Sequence, residues 1–148
     1  MKLLTALTLF CLLSMPVFAA DDGWQTNFEA AKKIAAKENK AILMDFAGSD
    51  WCGWCIKLDK EVFSQQAFKD YAKDNLVLML VDFPRTKELP AAEKAANDKL
   101  AEKYGIEGFP TVVLVDGKGN VIAKTSYREG GAAAYVAHIK ELLAKGKK

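Results

Sequence analysis

The chain has 148 residues, with 21 lysines and arginines against 19 aspartates and glutamates, and a formal net charge of +2 at pH 7. This length suits a single domain with its own hydrophobic core. So balanced a charge gives no basis for binding nucleic acid or an anionic membrane surface, and we expect neither.

The first residues have the pattern of a secretory signal peptide. Lys2 precedes an apolar run over 3–15, and residues 17–19 form a small-x-small cleavage signal. The apolar run is shorter than the roughly 20 residues of a transmembrane helix. We predict a signal peptide over 1–19 and one mature domain over 20–148, located in the periplasm or outside the cell and not inserted in a membrane. An uncleaved membrane anchor is the alternative.

Helical and extended patterns alternate along the mature chain. Apolar residues spaced by three or four predict helices, beginning with Trp24 and Phe28, and continuous apolar runs predict buried strands. We predict helices over 27–38, 56–63, 64–73 with Ser64 as cap, 91–104 between Pro90 and Gly105, and after Gly130-Gly131, and strands over 41–47, 76–83, 112–115 and 121–126. Strands joined by helical crossovers pair in parallel, whereas the last two strands form an antiparallel hairpin. The sequence therefore predicts an α/β fold with a mixed central sheet and helices on both faces.

Two cysteines stand where the strand over 41–47 gives way to a helix. Cys52 and Cys55 are separated by two residues, a spacing typical of a redox-active pair. The start of a helix directs N–H groups and the positive end of its dipole at Cys52, which favours the thiolate. A disulfide that closes so short a loop adds little stability, so a purely structural role is weakly motivated. Since Cys11 leaves with the signal peptide, we predict a redox-active Cys52–Cys55 disulfide.

Neither a metal nor an organic cofactor is predicted. A tetrahedral zinc or copper site needs more ligands than two cysteines, and the mature chain adds only His138, which we expect on the surface. Ile56 follows Cys55 at the position where c-type haem attachment requires a histidine. In a dithiol–disulfide exchange the sulfurs themselves carry the electrons.

Three features of the sequence resemble the thioredoxin superfamily. They are Asp45-Phe46 on the strand before Trp51-Cys52-Gly53-Trp54-Cys55, the Gly108-Phe109-Pro110-Thr111 stretch before the hairpin, and the order of the elements. The resemblance extends over roughly residues 24–145 and is strongest to secreted bacterial proteins with the motif Gly-Ser-Asp-Trp-Cys-Gly-Trp-Cys. It implies a thioredoxin-like fold and thiol–disulfide exchange with protein thiols and disulfides, in which Cys52 attacks and Cys55 resolves the mixed disulfide.

The resemblance also implies which residues meet the substrate. Pro110 resembles the cis-proline that faces the disulfide, and the backbone of Phe109 is expected to pair with an extended substrate. The isomer of the bond between them is not readable from the sequence. Trp51 resembles the tryptophan that packs beside the active site. Gly53 and Trp54 lie between the cysteines, on the expected contact surface.

The connection before the cysteines departs from the family pattern. Asp45 resembles the buried acid of the family, the proton acceptor for the resolving cysteine. Gly48-Ser49-Asp50 makes the connection one residue longer here, so Asp50 competes with Asp45 for that role. The lysine that often partners the acid has no counterpart, because Met79 or a neighbour stands in its place.

The direction of electron flow is predicted from the residues between the cysteines. Gly53 and Trp54 bring no positive charge to stabilise the Cys52 thiolate, which favours an intermediate to reducing potential. We predict a reductase that draws electrons from a donor such as a membrane protein. Disulfide isomerase is the first alternative. A non-catalytic client-binding module at Trp54 and Phe109, and metal handling by the paired thiols, also stay open.

Overall fold

The computed structural model describes residues 23–146, and a sheet of five strands occupies its centre. The strands are β1 (Trp24–Gln25), β2 (Ala41–Ala47), β3 (Leu76–Asp82), β4 (Thr111–Val115) and β5 (Val121–Thr125). Their order across the sheet is β1-β3-β2-β4-β5. Strands β1 and β2 run parallel to β3, and β4 runs antiparallel to both β2 and β5. The predicted mixed sheet is confirmed, with one strand more than we predicted.

The helices begin and end close to the predicted positions, with two differences. They are α1 (Phe28–Glu38), α2 (Gly53–Leu58), α3 (Gln66–Asn75), α4 (Ala91–Tyr104) and α5 (Gly131–Lys145). Helix α2 starts at the cysteines and continues into a π-helical turn, Asp59–Phe63. The predicted cap at Ser64 is wrong, because Gln65 occupies the cap position of α3 and the Ser64 hydroxyl donates to Asp59 instead.

The sheet is covered on both faces, as predicted. Helices α1 and α4 pack on the face that receives Ile42, Met44 and Phe46, the even-numbered residues of β2. The other face receives Leu43 and carries α2, α3 and α5. Because side chains alternate along a strand, Asp45 lies on the same face as Leu43, under the cysteine helix.

Three segments meet at one edge of the sheet. The carboxyl ends of the parallel strands β2 and β3 lie side by side, with Ala47 opposite Asp82. Strand β4 runs the other way, so its amino end and the Phe109–Pro110 bond before it reach the same edge. The cysteine helix, the segment over 83–87 and Phe109–Pro110 are therefore neighbours.

The predicted signal peptide over 1–19 lies outside the described residues. Within residues 23–146, no helix combines the length and the apolar character needed to cross a membrane. Trp24, which we expected at the helical spacing of α1, pairs with Leu78 as part of β1. A two-residue strand is too short to show a periodicity in the sequence.

Candidate active site

The two cysteines are joined in a disulfide at the start of α2. Cys52 is the N-cap residue, with an extended backbone, and its sulfur accepts a hydrogen bond from the Cys55 N–H at 3.3 Å. Both residues are buried, with 6% of Cys52 and 4% of Cys55 exposed. An N–H group directed at Cys52 Sγ stabilises negative charge on that sulfur, so the first cysteine is the one prepared to be a thiolate.

The Phe109–Pro110 segment lies beside the disulfide. The peptide bond between the two residues is cis. The Phe109 ring packs against the cluster that contains both cysteines, and the Pro110 carbonyl accepts a 2.6 Å hydrogen bond from the Ser126 hydroxyl. The structure therefore brings both predicted substrate-contact residues to the cysteine pair, although they are more than fifty positions away along the chain.

Trp51 is held beside the site by contacts with four residues. Its Nε1–H donates to the Phe83 carbonyl at 2.7 Å, and its ring meets the Phe109 ring edge to face at 5.9 Å. A side chain at Gly48 would collide with the indole, so only glycine permits this approach. The Arg85 guanidinium carbon lies 3.7 Å from the centre of the indole ring. These contacts fix the Trp51 ring beside the cysteine pair.

The residues between the cysteines face solvent. Trp54 is 57% exposed, and the space that a side chain would enter at Gly53 is open. The Trp54 ring lies 5.2 Å from the Tyr127 ring, and Lys57 Nζ lies about 5 Å from both ring centres. The Tyr127 hydroxyl donates to Glu61 at 2.6 Å, which fixes the second ring.

Tyr127 and Arg85 are aromatic and cationic neighbours of the site that our sequence interpretation missed. Tyr127, from the segment after β5, contacts Trp54 on the cysteine helix, and Arg85, from the segment after β3, contacts Trp51 in the loop before that helix. Only Lys57 carried a usable signal, because residues three apart on a helix share one face and Lys57 follows Trp54 at that spacing.

Asp45 lies in a cavity shared with Cys55. The residue is 6% exposed, and its Oδ1 has no hydrogen-bond partner among the described residues. The cavity has a volume of about 420 Å³ and is lined by Trp24, Asp45, Ala47, Ser49, Cys55, Ile56, Asp59, Phe63, Ser64 and Leu80. Burial, followed by repulsion from Asp59 and Asp82, raises the pKa of Asp45 from 3.8 to about 7. Leu80, not Met79, stands opposite Asp45 on β3.

Asp50 has a different position. Its carboxylate accepts hydrogen bonds from the main-chain N–H groups of Arg85, Thr86 and Lys87, and from the Thr86 hydroxyl. The Thr86 hydroxyl and these N–H groups hold the pKa of Asp50 well below its usual range. Asp50 is absent from the lining of the cavity that Asp45 shares with Cys55. The longer connection thus directs Asp50 to the segment over 85–87 rather than to the cysteines.

Asp82 is a second buried carboxylate that we did not predict as part of the site. It is 3% exposed and accepts two hydrogen bonds from Ser49, at 2.9 Å from the main chain and 2.6 Å from the hydroxyl. Lys87 Nζ lies 3.5 Å from it. The sequence signal for Asp82 was an acidic residue at the end of an apolar strand. Asp45 gives a similar signal near the end of β2.

Comparisons with known proteins agree with this geometry. A thioredoxin-like domain profile matches residues 28–140. The chain is 35% identical to the disulfide bond reductase DsbH of Chlamydia pneumoniae over 86% of this chain and 76% of that protein. A solved DsbH oxidoreductase superposes with a TM-score of 0.80 at 32% identity, over 93% of this chain and 94% of that one.

A second group of relatives is much longer. The thiol:disulfide interchange protein DsbD of Actinobacillus pleuropneumoniae is 27% identical over 68% of this chain, but the match spans only 16% of that protein. The similarity is therefore to one part of DsbD. The domain profile and the 35% identical DsbH show that the chain belongs to the thioredoxin-like family, and it carries the cysteine pair of the thiol–disulfide oxidoreductases in that family.

Proposed function

We propose that the protein reduces disulfide bonds of client proteins in the periplasm, with Cys52 as the nucleophile and Cys55 as the resolving thiol. The observation that carries the proposal is the placement of Cys52 Sγ at the start of α2, with the Cys55 N–H directed at it and Phe109–Pro110 alongside. The reducing direction is supported by the 35% identical relative, which is named a disulfide bond reductase.

The exchange takes two steps. The Cys52 thiolate attacks one sulfur of the client disulfide, the client S–S bond breaks, and the other client sulfur leaves as a thiolate. Cys55 then loses its proton and attacks Cys52 Sγ, which releases the second client thiolate and forms the Cys52–Cys55 disulfide. Two electrons pass from the protein to the client, so a membrane or soluble dithiol donor must reduce the pair again.

Asp45 is the proton acceptor in this proposal. It shares its cavity with Cys55, and its Oδ1 makes no hydrogen bond among the described residues. A carboxyl with a pKa of about 7 exchanges protons readily at neutral pH, which suits a general base. Asp50 does not fit the role, because its carboxylate is already occupied by the segment over 85–87.

The client is proposed to lie across the surface that surrounds Cys52. An extended client segment pairs with the backbone of Phe109 and passes Pro110 on one side of the disulfide. Trp51 bounds this path, and the exposed Trp54 beside Gly53 offers an apolar contact. The exposure of Trp54 supports this role, since a large exposed aromatic side chain often marks a binding surface.

The periplasmic location depends on the proposed signal peptide. Expression of the full chain in a Gram-negative host, followed by fractionation and amino-terminal sequencing, tests both. A periplasmic protein that starts at Ala20 supports the proposal, whereas an intact amino terminus in the membrane fraction indicates the uncleaved anchor.

The redox equilibrium of the protein with glutathione tests the activity, with tryptophan fluorescence as the signal because Trp51 and Trp54 flank the cysteines. A potential of about −270 mV, as in thioredoxin, supports a reductase, and a value of about −120 mV contradicts the reducing direction. Absence of a reversible transition contradicts the function and indicates the binding module.

Cysteine variants test the chemistry in an insulin-reduction assay. We expect Cys52→Ser to abolish turnover and Cys55→Ser to accumulate mixed disulfides with insulin. Full multi-turnover activity in Cys55→Ser would contradict the assignment. Stoichiometric Cu(I) binding without insulin reduction would indicate metal handling instead.

A further inference from the structure

We propose that Arg85 is a specificity-determining residue that binds a client carboxylate next to the client's reactive cysteine. This inference rests on the proposed function, because it concerns which disulfides the Cys52–Cys55 pair reduces fastest. It assigns the protein a preference for clients with a glutamate or aspartate beside that cysteine.

The Arg85 guanidinium has a fixed position beside the active site. Its Cζ lies 3.7 Å from the centre of the Trp51 ring, a distance typical of a guanidinium stacked on an aromatic face. Trp51 is itself anchored through Phe83 and Gly48 and touches Phe109, along which the client is proposed to lie. The cation therefore flanks the client path instead of moving freely in solvent.

The main chain under Arg85 is also held. Asp50 accepts hydrogen bonds from the N–H groups of three successive residues, of which Arg85 is the first. These bonds tie the segment over 85–87 to the loop that carries the cysteines. The Asp50 carboxylate thus binds the main chain, and its role in this proposal is to position Arg85.

Arg85 has no ion-pair partner among residues 23–146. Its neighbour Lys87 differs, since Lys87 lies 3.5 Å from Asp82. A stacked guanidinium keeps its in-plane N–H groups available, and these match the two oxygens of a carboxylate. The unpaired cation is therefore complementary to an acidic client residue.

The cysteine helix carries a cation of a different kind. Lys57 Nζ lies over both the Trp54 and the Tyr127 ring, at about 5 Å from each centre, with a Glu61 carboxylate oxygen 3.9 Å away. That glutamate offsets part of the Lys57 charge. The acidic preference is accordingly expected to depend on Arg85, with Lys57 contributing less.

The test uses three disulfide peptides that differ only in the residue beside the cysteine, which is Glu, Gln or Lys. We expect the reduced wild-type protein to react with the Glu peptide about three- to fivefold faster than with the Gln peptide, the size of a partly exposed ion pair. The Lys peptide should be the slowest. Because such a pair is screened by salt, the ratio should shrink at high ionic strength.

Variants assign the preference to one residue. Arg85→Gln should bring the Glu-to-Gln rate ratio close to one, and Arg85→Lys should keep a smaller preference. Lys140→Gln is the matched control, because Lys140 also lies over an aromatic ring, Tyr71, in a groove at the other end of the sheet. It should keep the wild-type ratio.

Two failures of this test have different meanings. Equal rates for the three peptides in the wild type, or an unchanged ratio in Arg85→Gln, would overturn the role of Arg85 while leaving the reductase in place. Failure of the reduced wild-type protein to react with any peptide would overturn the proposed function itself. Circular dichroism of each variant shows that a changed ratio belongs to a folded protein.

Discussion

Two buried carboxylates lie close together near the cysteines, and their surroundings differ. Asp45 lies opposite Leu80 on the neighbouring strand, and Asp82 comes two residues later, so the two side chains leave the sheet on the same face. Their exposed fractions are similar, at 6% and 3%. Asp82 is surrounded by donors from Ser49 and Lys87, whereas Asp45 Oδ1 has none among the described residues.

The comparison shows that burial by itself does not distinguish a carboxylate with a structural role from one that is suited to accept a proton. The donors around Asp82 satisfy its oxygens and hold the loop that leads to the cysteines. Without such donors, the pKa of Asp45 rises to about 7, mainly through burial and partly through the negative charges of Asp59 and Asp82. The satisfied carboxylate, Asp82, holds the loop beside the site, and the unsatisfied one, Asp45, is the proton acceptor that we propose.

The largest expected effect on the reaction rate comes from removing the proposed proton acceptor. In Asp45→Asn, attack by Cys55 on a mixed disulfide at Cys52 should slow by about 100-fold at pH 7, the lower end of general-base contributions. The rate in the wild type should rise with pH through about 7, the pKa of Asp45, and this rise should be absent from the variant. Release of thionitrobenzoate from labelled Cys52 measures the step.

Asp50→Asn is the control for this experiment. Its carboxylate does not line the cavity of Cys55, so the rise near pH 7 should persist. A variant Asp45→Asn that keeps the rise, or an Asp50→Asn that loses it, would reassign the proton acceptor.

Stability should depend on pH through the same residue. Between pH 3.8 and about 7 the carboxyl of Asp45 ionises in the unfolded chain but stays protonated in the folded one, so the free energy of unfolding falls as pH rises. Above pH 7 the full penalty, about 4 kcal/mol, is present. Urea unfolding of the oxidised protein at pH 4 and pH 8 should show this loss in the wild type and a flatter profile in Asp45→Asn. The same change of stability between pH 4 and pH 8 in both proteins would contradict the raised pKa of Asp45.

Removal of the hydrogen-bonded carboxylate, Asp82, should instead destabilise the protein at neutral pH. Asp82→Ala removes the acceptor of both Ser49 hydrogen bonds and leaves a main-chain N–H without its partner, which should destabilise the protein by about 3 kcal/mol. Urea unfolding at pH 7 measures the loss. Asp45→Asn, examined beside it, should not be destabilised at this pH. If both variants lose similar stability, the two carboxylates do not differ as the contacts indicate.

Much of the fold was predictable because its signals are local. The run over 41–47 is apolar except for Asp45, and β2 is buried on both faces, which is the pattern of a central strand. The helix over 91–104 ends at Gly105, which adopts the left-handed conformation that glycine favours. The spacing of Cys52 and Cys55 likewise needs no tertiary information.

The rest of the site depends on contacts between distant residues. Whether Asp45 or Asp50 faces Cys55 is decided by the loop over 48–50, which turns Asp50 toward the segment over 85–87. The sequence shows that this loop is one residue longer but not where the extra residue points. Arg85 over Trp51 is missed for the same reason, since the stacking joins residues from two separate loops.

The smallest expected effect isolates one of the two hydrogen bonds at the satisfied carboxylate. Ser49→Ala removes the hydroxyl that donates to Asp82 at 2.6 Å but keeps the main-chain N–H that donates at 2.9 Å. The Asp82 carboxylate therefore keeps the Ser49 N–H and Lys87 as neighbours. The free energy of unfolding should fall by about 1 kcal/mol, well below the loss in Asp82→Ala. Urea unfolding at pH 7 compares the two variants directly. A loss as large as that of Asp82→Ala would mean that the hydroxyl alone holds the loop, and the comparison with Asp45 would then depend on a single donor.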